Sequence, residues 1–121
     1  MAKTPIRKET AGKYVVVLVT CGSRAEAQRI AREVVSQRLA ACANMLEIPV
    51  HSVYRWKGKV EKAREFLLLM KTSARRLSAL QAEVKRLHSY DVPEFIALPI
   101  VAGSPAYLKW LRDCVTLERK A

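Results

Sequence analysis

From Tyr14 to Cys21 the chain is a nearly unbroken apolar run rich in β-branched residues. That length and continuity predict an inner strand covered on both faces. Gly22 breaks the run and Ser23 opens a helix, with Glu26 three residues later in capping-box spacing. In that pattern each side chain satisfies a free backbone amide. Ala27, Ile30, Ala31, Val34 and Val35 recur at spacings of three and four, while Arg24, Arg29, Arg32 and Arg38 point elsewhere. This is an amphipathic helix, predicted to end near Arg38 or Leu39. Cys42 to Trp56 reads as one long extended stretch, with Pro49 marking a bend or an edge position. Lys57-Gly58 supplies a tight turn, since glycine accepts positive φ. Lys59 through Thr72 returns as a second arm, most apolar at Phe66 to Met70. Ser73 begins a second helix, with Leu77, Leu80, Val84 and Leu87 on one face, and the segment His88 to Pro93 ends it. Phe95 to Val101 predicts a strand at an edge or a bulge, because it carries Pro99. Ser104-Pro105 caps a last helix whose apolar face is Tyr107, Leu108, Leu111 and Val115, joined by Trp110.

The order strand, helix, strand, strand, helix, strand, helix holds two βαβ halves, each needing a right-handed crossover. It predicts an α+β fold: a ferredoxin-like antiparallel sheet with helices packed on one face and a long central hairpin. One domain is expected over residues 13–116, between a flexible tail at 1–12 and a charged tail at 117–121. Fifteen extended residues between Cys42 and Trp56 would span about 50 Å at ~3.3 Å each. A domain of this length is only about 30 Å across. The arms should therefore overhang the body unless Pro49 breaks the strand. An overhanging hairpin must bury its edge against something, which predicts an oligomer.

With 121 residues there is room for one domain, and 50% hydrophobic residues exclude a disordered chain. No apolar run approaches the ~20 residues of a membrane-spanning helix. The basic N-terminal residues are followed by no apolar stretch before Tyr14, which speaks against a secretory signal. Three cysteines without a CxxC pair fit neither a disulfide framework nor a zinc knuckle, so reduced thiols in the cytoplasm are expected. The net charge of +11 raises nucleic acid as a partner, or else marks a solvated basic surface. The inner strands lack the aromatic-glycine pattern of an RNA-recognition sheet, and the basic residues are spread over three helices and the hairpin tip. Weak non-specific binding at low salt is expected, and no dedicated nucleic-acid or membrane role.

No GxSxG, P-loop, GxGxxG or HExxH motif is present, so no catalytic residue is assigned. Cys21 ends a strand just before a helix N-terminus. It is either a small core hydrophobe or a thiolate activated by that terminus. Cys42, among alanines, reads as core, and His51 as a surface or interface residue. His88 ends a basic helix beside Tyr90, Asp91 and Glu94. It reads as a protonated cap, or as a ligand that, with a carboxylate and a thiol, takes a borderline metal such as copper or zinc.

Several strings together resemble the CutA family of divalent-cation tolerance proteins: VLVTC at 17–21, A-x-R-I-A at 27–31, RLAACAN at 38–44, SVYRWKGKV at 52–60, LLLMKT at 67–72, LHSYDVPE at 87–94 and SPAYLKWL at 104–111. The resemblance runs in order over about residues 14–115. It implies a cytoplasmic homotrimer of PII-like build with hairpins packed across neighbours. It also implies a role in the response to metal ions, with copper binding, no catalytic activity and no required cofactor. Members proposed to bind copper use a cysteine just before the threonine that ends strand one, and a His-His pair. Here those positions read Val19 and Leu87-His88, so only His88 matches, and Cys21 lies two residues further on the same sheet face. The metal set implied is His88, Cys21 and Glu94. Tyr54, Trp56, Lys71, Tyr90 and Trp110 have the make-up of an inter-subunit cleft. They would hold a small anionic ligand of a PII-like sensor, or serve as interface anchors in a structural interaction module.

Overall fold

The computed structural model describes residues 13–117. The tail expected at 1–12, and all but Leu117 of that expected at 117–121, lie outside the described residues. Along the chain run β1 (Tyr14–Cys21), α1 (Arg24–Ser36), β2 (Cys42–Met45), β3 (Val50–Trp56), β4 (Lys59–Ser73), a 3-10 turn (Ala74–Arg76), α2 (Leu77–Leu87), β5 (Ile96–Pro99) and α3 (Pro105–Val115). The sheet order is β2-β4-β1-β5, with β3 paired to β4 and all pairings antiparallel.

The helix boundaries follow from local chemistry. Ser23 caps α1 by accepting from the Glu26 amide at 3.2 Å. At the other end Arg38 takes φ 58°, and Leu39 and Arg38 donate to the carbonyls of Val34 and Val35. This reverse turn ends the helix at Ser36, two residues before the predicted stop, with an arginine where glycine is the usual choice. Ser104 caps α3 through the Tyr107 amide, with Pro105 in the first turn.

One face of the sheet carries the main core. Val17 and Val19 of β1 and Leu68 and Met70 of β4 meet Ala27, Ile30 and Val34 of α1 and Leu80 and Val84 of α2. Thr72, fully buried, donates its hydroxyl to the Leu39 carbonyl at 2.7 Å, and so joins the sheet to the turn after α1. Leu111 and Val115 of α3 form a second, smaller cluster with Ala41. β1 alternates strictly, with Val15, Val17, Val19 and Cys21 buried and Tyr14, Val16, Leu18 and Thr20 only half-buried. The continuous apolar run predicted cover on both faces; within one subunit the second face is only partly covered.

The extended stretch expected from Cys42 to Trp56 is two strands, interrupted at residues 46–49, where Pro49 offers no amide to a ladder. β4 does continue for 15 residues and changes partners along its length. Residues 66–73 pair with β1, and residues 59–65 pair with β3 alone. The hairpin therefore leaves the sheet as a two-stranded ribbon. Its turn, Lys57 at φ 49° and Gly58 at φ 80°, has the two positive φ values that match strand twist. β5 is shorter than the Phe95–Val101 expected and pairs only with β1, the edge position that suits Pro99.

Candidate functional site

Three elements converge at one end of the sheet. Cys21 closes β1, Glu26 sits in the first turn of α1, and His88 follows the last turn of α2. Each offers one ligand atom, and these atoms lie within 4.8 Å of one another. The side chains of Cys21 and His88 are fully buried, and that of Glu26 nearly so. Of the residues expected at a metal site, Cys21 and His88 are thus brought together. Glu94 is not part of this cluster, and Glu26 takes the carboxylate place. Its spacing from Ser23 read as a reciprocal cap, but only the serine half forms; the Glu26 side chain turns to His88, with Oε1 3.3 Å from Nδ1.

The hydrogen bonds orient the imidazole. The backbone amide of Tyr90 donates to Nδ1 at 3.1 Å, so Nδ1 presents a lone pair. Nε2 faces the Thr20 carbonyl at 2.8 Å and carries the ring hydrogen, which it donates there. Glu26 Oε1 then faces a lone pair instead of a donor, and this buried oxygen has no hydrogen-bond partner. An orphaned buried carboxylate oxygen is costly unless a cation or proton reaches it. A ring N–H held by a backbone carbonyl is the usual arrangement of a metal-bound histidine; here an ion at Nδ1 would have to displace the Tyr90 amide from that nitrogen's one lone pair. Sulfur, nitrogen and oxygen donors together suit a borderline ion such as copper or zinc.

Cys21 is not an activated thiolate. Burial, then the charges of Glu26 and Glu65, push its thiol up to about 12 despite the helix N-terminus that follows. Iodoacetamide should therefore leave Cys21 unmodified in the native protein and alkylate it only in denaturant, as read by peptide mass spectrometry. Native-state alkylation of Cys21 would show that the cluster opens to solvent.

Beside this cluster lies a cleft of about 590 Å³ between the β3–β4 ribbon and the segment after α2. Tyr54, Trp56 and Tyr90 line it, with Glu94. Sequence reasoning missed Glu65, which is 6% exposed and accepts from the Tyr90 hydroxyl at 3.0 Å. Nothing in the local pattern of β4 distinguishes it from its charged neighbours. Burial and then the charge of Glu65 raise the Glu94 carboxyl above its ordinary value. Gly22 lets the Tyr90 ring approach, since a Cβ there would meet its hydroxyl at 3.0 Å.

Lys71 and Trp110 do not line this cleft within one subunit. Lys71 donates to Asn44 Oδ1 at 2.9 Å and pairs across the sheet with Cys42. Trp110 packs against Tyr107 with the rings tilted at 46° and centroids 5.3 Å apart. Among the described residues of one subunit, no lysine or arginine lines the cleft.

The model of the CutA1 divalent ion tolerance protein family matches residues 15–114. The divalent-cation tolerance protein CutA of Thermus thermophilus is 47% identical over 98 residues, covering 81% of this chain and 94% of that protein. The chloroplastic protein CutA of Arabidopsis thaliana is 44% identical over 111 residues, covering 89% of this chain and 60% of that longer protein. The solved structure of the divalent cation tolerance protein from Thermus thermophilus superposes with a TM-score of 0.83 at 45% identity, covering 85% of this chain and 99% of that one. The chain belongs to the CutA1 divalent ion tolerance family.

Proposed function

We propose that this member of the CutA1 divalent ion tolerance family acts without catalysis in the response to divalent metal ions, by binding copper at His88, Cys21 and Glu26. The observation that carries this reading is the buried triad of unlike ligand atoms within 4.8 Å, one of them a carboxylate oxygen with no partner. The metal is the ligand handled, and no further cofactor is required. Nδ1, once it releases the Tyr90 amide, the Glu26 carboxylate and the Cys21 sulfur are the holding groups, and the Thr20 carbonyl keeps the ring hydrogen on Nε2.

The working form is a cytoplasmic homotrimer of PII-like build. Support for assembly comes from the half-covered sheet face, where Ile96 and Leu98 of β5 are each 48% exposed, and from the ribbon that leaves the sheet with β3 alone beside it. Three free cysteines among the described residues suit a reducing compartment. No described helix is long and apolar enough to cross a membrane.

Calorimetric titration of Cu²⁺ into the reduced protein, with Zn²⁺ alongside, tests the site. The expected result is one saturable site per subunit, tighter for copper, that is lost in both His88→Ala and Glu26→Gln. Stoichiometric binding retained in His88→Ala would sink the assignment.

A further inference from the structure

We infer that the cleft between the β3–β4 ribbon and the segment after α2 is a binding site for a small organic cation, an ammonium group on an apolar body. The inference goes beyond metal handling, because neither Glu65 nor Trp56 belongs to the metal set.

The charge of the cleft runs against that of the whole protein. Lysine and arginine number 22 and aspartate and glutamate 11, so a random surface hollow would be basic. Here the charged lining residues are Glu65, Asp91 and Glu94, and none is basic. Glu65 adds an independent sign of a ligand. It is more than nine-tenths buried, it lines the cavity, and no cation among the described residues forms an ion pair with it. Among the described residues its carboxylate's one hydrogen-bond partner is the neutral Tyr90 hydroxyl, which supports a carboxylate without neutralising it. A buried charge left uncompensated by the protein is a charge for something else to meet.

The rest of the lining selects the kind of cation. Tyr54, Trp56 and Tyr90 present three aromatic rings, whose negative faces attract ammonium groups. A bare metal ion would need several oxygens close together. Yet the three cleft carboxylates are not among the described groups whose ligand atoms gather within 4.8 Å. A volume of about 590 Å³ is also that of a small-molecule site. The apolar body would lie against Val53 and Val92, and the ammonium between Glu65 and the rings.

Calorimetric titration of 2-phenylethylammonium into the full-length reduced protein tests this, with 3-phenylpropionate as the size-matched anion. The expected result is saturable binding of the ammonium, at one per subunit, and none of the carboxylate. Glu65→Gln should weaken binding roughly tenfold or more. Trp56→Ala, at a side chain 45% exposed within one subunit, should weaken it roughly two- to thirtyfold. Three results would overturn the inference: no ammonium binding, wild-type affinity in both variants, or displacement of the ammonium by an equal concentration of Ca²⁺. The first is what a basic side chain of a neighbouring subunit seated in the cleft would produce; the last would make this a metal site.

Discussion

Ile30→Ala is expected to destabilise the protein by about 2–5 kcal/mol, a large fraction of what holds a domain of this size together. Ile30 is fully buried, on the face of α1 that also carries Ala27 and Val34. That face packs in one cluster with Val17, Val19, Leu68 and Met70 of the sheet and with Leu80 of α2. Removing its three outer carbons loses their transfer from water and leaves a hole between two rigid layers. The layers cannot close it, because the strands are tied by ladders and α1 is fixed at both ends by its caps. Urea unfolding at fixed protein concentration should show a lower midpoint with an unchanged slope. A loss below about 1 kcal/mol would mean that the core collapses around the site.

Ile96→Asp is expected to take the assembly apart while leaving the subunit folded. Ile96 stands opposite Leu18 on the half-covered sheet face, away from α1 and α2, and is 48% exposed within one subunit. A carboxylate there costs the isolated subunit little, since water still reaches it. In a trimer closed over this face it would be buried without a partner, at a cost on the order of several kcal/mol for each subunit. Light scattering should give a three-subunit mass for the parent protein and a one-subunit mass for the variant, with unchanged helical circular dichroism. An intact trimer in the variant would place the subunit contacts on some other surface.

The two variants sit on opposite faces of the same strand layer, and they mark where local reading of the chain succeeded and where it stopped. Valine-rich β1, the periodic apolar faces of α1, α2 and α3, the serine caps and the Lys57-Gly58 turn all follow from neighbours a few residues apart. These were legible for that reason. The stop of α1 was placed two residues late because the reversing residue is Arg38, whose positive φ is imposed by the carbonyls it serves and not by its own preference. The interruption before Val50 was signalled by Pro49, read as a bend or an edge, and not by the apolar pattern of residues 42–56. Extended backbone on either side of a kink has the same alternation.

The candidate site divides in the same way. His88 and Cys21 could be named from the chain, as could the aromatic residues Tyr54, Trp56 and Tyr90, because their types carry chemistry wherever they fall. Glu26 could not, since its spacing from Ser23 already had a local explanation in the cap. Glu65 could not either, standing in a charged stretch of β4 from Lys59 to Glu65 whose other members are mostly exposed. Lys71 and Trp110 lie outside this cleft of one subunit, since a cleft between subunits is a property of the assembly and not of residue type.

The sequence by itself thus determined the elements and their order, which rest on short-range sterics, hydrogen bonding and periodicity, while its ordered motifs carried the resemblance to the family. Only the tertiary structure decided that Cys21, Glu26 and His88 share one buried point, and that a basic protein keeps an acidic cleft. The physical reason is that burial removes water from a charge, and which charges lose their water depends on how strand ends, helix ends and the ribbon pack together in space.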